Sequence, residues 1–360
     1  MAKLIMDALA EAGHAVELAS TLRSYEGEGD ALKQAAIRSR GAAEAQALVR
    51  RYRTAARRAR PAAWFTYHLY HKAPDWLGPE VSRALRIPYL VAEASFAPKQ
   101  ANGPWADGHA AVAAALAHAD AVLALTADDA ECLRPMVHEP DRLFALPPFL
   151  DVAPYSAARA RRAAHRTRIA ADLGLDTGRP WLLTAAMMRA GDKLASYRLL
   201  GAALRRLTDS EWGLIVVGAG PARTEVVAAL SGLGAKQVVF AGALAPESLS
   251  AFYAAADLFV WPAVNEAYGM AVLEAQAAGL PVVAGRVRGV ADVVRAGETG
   301  LLTPVGDDRA FAAAVRRLLV DHGLRARLGA AAAAAVEARH DLAAGTKVLE
   351  QALARAKAGA

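Results

Sequence analysis

The sequence predicts an α/β protein of two Rossmann-like domains, and three observations predict it. Strand-like and helix-like patterns alternate along the whole chain, as βα repeats around parallel sheets require and bundles or sandwiches do not. At 360 residues the chain exceeds one average domain and suits two of about 150 to 200 residues each. The pattern also restarts: the rigid turn Pro147-Pro148-Phe149-Leu150-Asp151 and a basic helical stretch, 156–172, are followed by a fresh series of short apolar strands beginning at Trp181. The domains are therefore expected over residues 1–155 and 156–340.

In the first domain, a helix over Ala2 to Ala12 is closed by Gly13. Strands are expected at His14 to Ala19, Trp64 to Tyr70, Tyr89 to Glu93 after Pro88, and Ala121 to Thr126. In the second, they are expected at Trp181 to Met187, Gly213 to Val217, Gln237 to Ala241, Leu258 to Trp261 and Pro281 to Ala284, with helices between. Low complexity is confined to 330–335, inside a helix, and no internal period appears. A doubly wound domain normally opens with a strand and a glycine-rich turn, yet Met1 stands one residue before an amphipathic helix. The first domain is thus expected to lack its first strand, through a start assigned too far downstream or through truncation.

Composition narrows the class. Hydrophobic residues make up 55% of the chain and charged residues 22%, which suits a packed α/β protein and excludes extended disorder. The alanine-rich run 110–125 is broken by His118 and Asp120, so no spanning helix is expected. The N-terminus reads as no secretory signal, which gives an expected cytoplasmic location. The single cysteine, Cys132, can build neither a disulfide framework nor a cysteine zinc site, and reads as a half-buried helix residue. Net charge is +6, and Lys33, Arg38, Arg40, Arg50, Arg51, Arg53, Arg57, Arg58 and Arg60 crowd segment 33–60. That segment is either a solvated helix face or a peripheral contact for anionic membrane lipid. Few aromatics interleave it, so nucleic acid is not an expected partner.

The richest segment runs from Trp261 to Ala284 and reads as strand, glycine-containing loop, helix, glycine cap, strand. Glu266 falls in the loop before the helix, and Glu274 lies about two turns beyond it on a compatible face, so both can reach one ligand. Between them Tyr268, Gly269 and Met270 stand where a helix start exposes unpaired amides, a site suited to diphosphate. On these residues alone, chance placement of surface acids and a ligand site both stay open.

With its E-x7-E spacing and the A-A-G-x-P-V-V-A strand that follows, this segment resembles the donor-site signature of retaining glycosyltransferases of family 4, which have the GT-B fold. The resemblance implies that Glu266 contacts the transferring sugar and Glu274 the ribose hydroxyls. Further matches arrive in order: Leu214 to Pro221 resembles a strand with a G-x-G-P turn containing Gly218 and Gly220, and Val239 to Leu244 resembles the strand end, at Ala243 and Leu244, whose backbone reads the base. Arg189 and Lys193 stand where the family has an arginine and a lysine facing the diphosphate, one residue closer together than the commonest pattern. With Asn265, Tyr268, Gly269 and Met270 these complete the expected donor site.

Some positions depart from the pattern. Arg288 replaces a glycine, and Asp292 the usual glutamate, in the turn after the donor helix; 297–304 resembles a structural hairpin. After Ile87 to Ala92 the family commonly has a histidine near the acceptor, and this chain offers Glu93-Ala94-Ser95. Glu93 and His68, with His71 as a further choice, are the acceptor-side candidates. No metal-binding motif appears, so no metal and no cofactor beyond the nucleotide-sugar donor is expected.

The resemblance implies two domains facing a cleft, a last helix over 341–360 crossing back to the first domain, and a glycosyltransferase moving sugar from a nucleoside diphosphate to a sugar, lipid-linked or small-molecule acceptor with retention. The alternatives are a sugar-nucleotide epimerase, and a non-catalytic relative that binds nucleotide sugars.

Overall fold

The computed structural model describes residues 1–209, 211–234 and 237–359. They form two compact units, one comprising Met1–Pro147 with Ala343–Ala360 and the other Pro148–Leu342. The division at Pro147 precedes the expected residue 155, because helix α6 (Ala153–Ala160) packs on helix α10 (Pro246–Ala255) of the second unit.

Unit 1 opens with helices α1 (Ala2–Glu11) and α2 (Ala31–Thr54), then alternates β1 (Trp64–Leu69), α3 (Gly78–Leu85), β2 (Tyr89–Ala94), α4 (Ala106–His118), β3 (Ala121–Ala124), α5 (Ala127–Leu133) and β4 (Leu143–Ala145). The sheet order is β1-β2-β3-β4, all parallel, so β1 is an edge and no strand precedes it in the described residues. β3 is buried along its whole length, as parallel strands covered on both faces are. Helix α2 starts at Asp30, whose carboxylate accepts from the amides of Leu32 at 2.9 Å and Lys33 at 3.1 Å. The last helix, α15 (Leu342–Ala358), is held to this unit by Arg355, which donates to Asp141 at 2.6 Å and Glu139 at 3.0 Å.

Two expectations are corrected here. His14 to Ala19 is not a strand: Val16 and Leu18 are exposed, and no strand lies alongside to complete a hydrogen-bonded ladder. Cys132, on α5, is exposed rather than half-buried.

Unit 2 begins with α6 and α7 (Arg162–Leu173), broken at Arg161 where one basic helix was expected. It continues through β5 (Trp181–Ala185), α8 (Asp192–Leu204), β6 (Gly213–Val217), α9 (Arg223–Leu230), β7 (Val238–Gly242), α10, β8 (Leu258–Trp261), α11 (Met270–Ala277), β9 (Val282–Gly285), α12 (Arg288–Val293), β10 (Gly300–Thr303), α13 (Asp308–Val320) and α14 (His322–Arg339). The basic character of α7 is structural. Arg162 donates to Asp257 at 2.7 Å and Arg166 to the same carboxylate at 2.9 Å, and the Arg166 guanidinium lies 4.1 Å over the Trp181 ring.

The unit 2 sheet runs β10-β9-β8-β5-β6-β7, all parallel. From β5 the chain winds one way through β6 and β7, then returns to the other side of β5 with β8. The order therefore reverses between β5 and β8, and in such sheets the crevice beyond the strand ends at that reversal is the ligand site. Residues 297–304, expected as a hairpin, end instead in the parallel edge strand β10.

Candidate active site

Two loops meet at the switch point: residues 186–191 after β5, and 262–269 after β8. The second is clamped by the start of α8. Ser196 Oγ accepts from the Val264 amide at 2.9 Å, and Asn265 Nδ2 donates to Asp192 at 2.9 Å. These bonds hold Ala263 at φ 55° and Asn265 at φ 52°, left-handed conformations that non-glycine residues keep only when their surroundings over-determine them. Gly289 at the start of α12 lets the same loop pack closely, since a Cβ there would come 1.7 Å from the Ala267 carbonyl oxygen. This glycine is the part of the altered turn that sterics demand; Arg288 beside it has no such constraint.

Glu266 is the centre of the arrangement. Its Oε2 pairs with Lys193, the second residue of α8, and also accepts from the Trp261 indole Nε1 at 3.0 Å. The Glu266 and Lys193 side chains are only 17% and 15% exposed, so the pair is screened from water far more than a surface salt bridge. Two donors on one oxygen fix the carboxylate plane. Arg189 behaves differently: it is exposed and makes no ion pair or hydrogen bond within the described residues. The structure thus brings Lys193 to Glu266 and leaves Arg189 on the loop rim.

Glu274, on α11, accepts from the Tyr253 hydroxyl at 2.9 Å, and burial pushes its carboxyl above the ordinary range. Tyr253 is fully buried on α10. Between the two acids, Gly269 caps α11 at φ 67° with no side-chain hydrogen bond, so the first-turn amides from Met270 onward have no capping side chain. Tyr268 and Met270 are half-buried there.

The remaining donor-side candidates follow β6 and β7. Gly218 and Gly220 have φ 136° and 153°, and Cβ atoms on them would come 2.0 Å from the Ala186 oxygen and 2.2 Å from the Met188 oxygen. Their bareness lets the turn after β6 lie on the loop carrying Arg189, through Met188 N to Ala219 O at 2.9 Å. Ala243 and Leu244 follow β7, with Ala243 exposed.

In unit 1, His68 and Glu93 lie on neighbouring strands, and His68 Nδ1 is 3.0 Å from Glu93 Oε1. Both have positive φ, 69° and 56°. The carboxylate raises the His68 pKa by accepting its hydrogen bond, against the opposing effect of burial. Tyr67 is raised too, by burial and by the same carboxylate. His71 makes no such contact.

Trp261 and Tyr253 are the site residues that sequence reasoning missed. Trp261 sits in the quoted strand, and its signal was a lone tryptophan five residues before the first acid. Tyr253 gave no local signal. Among the described residues, no group of three or more His, Cys, Asp or Glu side chains is placed to hold a metal ion.

Residues 179–321 match the model of the family described as glycosyl transferases group 1. A D-inositol 3-phosphate glycosyltransferase of Acidothermus cellulolyticus is 35% identical over 202 residues, which is 53% of this chain and 43% of that protein. The chain spans about half the length of the curated relatives it matches. Among solved structures, sucrose-phosphate synthase from Thermosynechococcus elongatus is similar with a TM-score of 0.72 at 22% identity, over 100% of this chain and 93% of that one. The Anabaena HepE protein in complex with UDP is similar with a TM-score of 0.70 at 18% identity, over 87% and 82%. The two parallel-sheet units are those of the GT-B fold. The similarity to the glycosyl transferases of group 1 covers residues 179–321 of this chain.

Proposed function

We propose that the chain transfers a sugar from a nucleoside-diphosphate sugar to an acceptor with retention of anomeric configuration. The observation that carries this reading is the double hold on Glu266 Oε2, by Lys193 and Trp261, in the loop that leads to the start of α11, which has no side-chain cap. Glu266 faces the sugar, and Glu274 takes the ribose hydroxyls. Lys193, Arg189 and the amides near Gly269 take the charge that collects on the diphosphate as the bond to the anomeric carbon breaks, so no metal or cofactor is needed for that task. The acceptor oxygen bonds to the anomeric carbon on the face the diphosphate leaves, and its proton passes to the leaving phosphate. His68 and Glu93 belong to the acceptor side, where their paired left-handed backbones store strain of a kind that clusters at functional sites.

The test is nucleoside-diphosphate release from a panel of nucleotide sugars with and without sugar, inositol and lipid-linked acceptors. Acceptor-dependent release, with the product's anomeric configuration retained, supports the reading. Free epimerised sugar without acceptor would point to an epimerase, and nucleotide-sugar binding without turnover to a non-catalytic relative.

A peripheral membrane contact through 33–60 is part of the same proposal. Arg40, Arg50, Arg57 and Arg58 are exposed and unpaired among the described residues, whereas Arg51 pairs with Glu17 and Lys33 with Glu28. No helix of the described residues is long and apolar enough to cross a membrane. Vesicles containing anionic lipid should retain the chain at low salt and release it at high salt. Equal retention on neutral vesicles would remove this part of the proposal.

A further inference from the structure

Helix α8 meets the loop after β8 through Asp192, Lys193 and Ser196, which engage Asn265, Glu266 and the Val264 amide. Tyr197 lies one turn beyond Lys193 on the same helix face and is fully buried. Its ring packs edge-on against the Trp261 indole, with centroids 5.1 Å apart and planes at 76°. Its hydroxyl donates to the Ala186 carbonyl at 3.0 Å. Ala186 opens the loop after β5 that carries Arg189, whereas Trp261 ends β8 and leads into the loop that carries Glu266. One side chain therefore touches the root of both loops.

Both contacts are tight. Trp261 is 2% exposed, and its indole meets the Tyr197 edge, the Lys193 ammonium 5.5 Å from the ring centre, and Glu266 Oε2, to which its N–H donates at 3.0 Å. Tilting the indole away from Tyr197 would draw that N–H off the carboxylate. On the other loop, the Ala186 amide donates to the Val217 carbonyl at 3.1 Å, and a Cβ at Gly218 would come 2.0 Å from the Ala186 oxygen. The first peptide after β5 is thus pinned both by the turn after β6 and by Tyr197.

Packing alone does not call for a tyrosine at this position. A phenylalanine would bury the same ring without taking a hydroxyl out of water. Burial raises the Tyr197 pKa, so the hydroxyl stays a donor to Ala186 well into the alkaline range. We propose that Tyr197 is a positioning residue that sets the loop carrying Arg189 against the loop carrying Glu266, so that both residues meet one nucleotide donor. The proposal rests on the donor reading of those two loops.

In the first arm of the experiment the full chain is titrated with UDP, GDP and ADP, and the tightest of the three serves as the probe. Tyr197→Phe keeps the ring against Trp261 and removes the bond to Ala186. It should weaken the probe by about three- to tenfold, the scale of one hydrogen bond. That loss should run through Arg189: once Arg189→Ala has been made, adding Tyr197→Phe should weaken the probe by less than about twofold. In the second arm the chain is labelled with ¹⁵N at its six tryptophans, and exchange of the indole N–H groups with deuterium is followed. Substitution by Phe assigns Trp181, Trp212 and Trp261. Tyr197→Leu, which takes the ring away from Trp261, should speed exchange there by about tenfold or more. Trp181 and Trp212, buried in the same unit, should exchange as before, whereas general loosening would speed all three. Unchanged affinity in Tyr197→Phe, a loss that adds in full to that of Arg189→Ala, or equal acceleration at the three indoles would overturn the proposal. Should Tyr197→Leu not fold, the Tyr197→Phe arm decides by itself. A native chain that answers none of the three nucleotides overturns the donor reading and the proposal with it; a native response that Tyr197→Phe leaves unaltered overturns the proposal alone.

Discussion

Each unit places one carboxylate against one cation at the end of its parallel strands, and the two pairs are built differently. In unit 2 Glu266 meets a lysine and an indole N–H, both on one oxygen, with both charged side chains largely buried. In unit 1 Glu93, 11% exposed, meets a histidine that is 48% exposed. A lysine holds its charge across the neutral range, whereas a histidine does not. The unit 1 pair is thus the one whose histidine pKa its carboxylate raises. The proposed donor side sets a lysine against its carboxylate, and the proposed acceptor side a histidine.

The comparison can be broken most decisively at Glu266. Glu266→Gln keeps the shape and the Trp261 contact but removes the charge, and should lower transfer by at least about a hundredfold, with thermal melting still cooperative. Near-normal turnover in that variant would end the assignment. Trp261→Phe keeps an aromatic ring, smaller than the indole, and deletes one of the two donors. It should lower kcat by about tenfold, the scale of a hydrogen bond to a charged group, with donor KM nearly unchanged. A larger rise in KM than fall in kcat would show that the indole acts on binding instead. Tyr253→Phe removes the donor to Glu274 and should raise donor KM several-fold at unchanged kcat, the signature of lost uniform binding.

The smallest effect belongs to the pair of His68 and Glu93. Because Glu93 raises the His68 pKa above 6.5, the pair's stabilisation is complete below that value and is lost as pH climbs through the raised pKa. Melting temperature measured for the native chain and for His68→Gln should therefore differ most near pH 6 and converge at alkaline pH. A constant difference across that range would mean that His68 contributes by packing alone.

What was legible in the sequence follows from range. The segment from Trp261 to Ala284 could be read because strand, turn and helix are each specified by neighbours a few residues apart, and Gly269 and Gly279 punctuate them. Both glycines have positive φ, 67° and 74°, so their sequence signal was a backbone requirement. β4 was missed because it is three residues, two half-buried and one exposed, too short for a pattern. The segment His14 to Ala19 has the alternation of a strand, but alternation cannot report whether a neighbouring strand exists. The Tyr253 bond was illegible for another reason: Tyr253 and Glu274 are 21 residues apart and meet only because α10 and α11 pack together. Basic segments were the hardest to tell apart. Arginines 162 and 166 look in sequence much like arginines 57 and 58, yet the first two are committed to Asp257 and the second two to solvent.

The chain leaves unit 1 at Pro147 and re-enters it at Ala343, and the crossings are fastened where His340 Nδ1 meets the Pro148 carbonyl at 2.7 Å and the Leu150 amide meets the His340 carbonyl at 2.9 Å. During vectorial synthesis, this makes the order of completion the reverse of the order of appearance. Unit 2 has all of its residues once Leu342 has left the ribosome, while unit 1, begun first, still waits for the helix whose Arg355 reaches back to Asp141 and Glu139. The nascent chain therefore carries unit 1 without its returning helix until residues 343–358 are made.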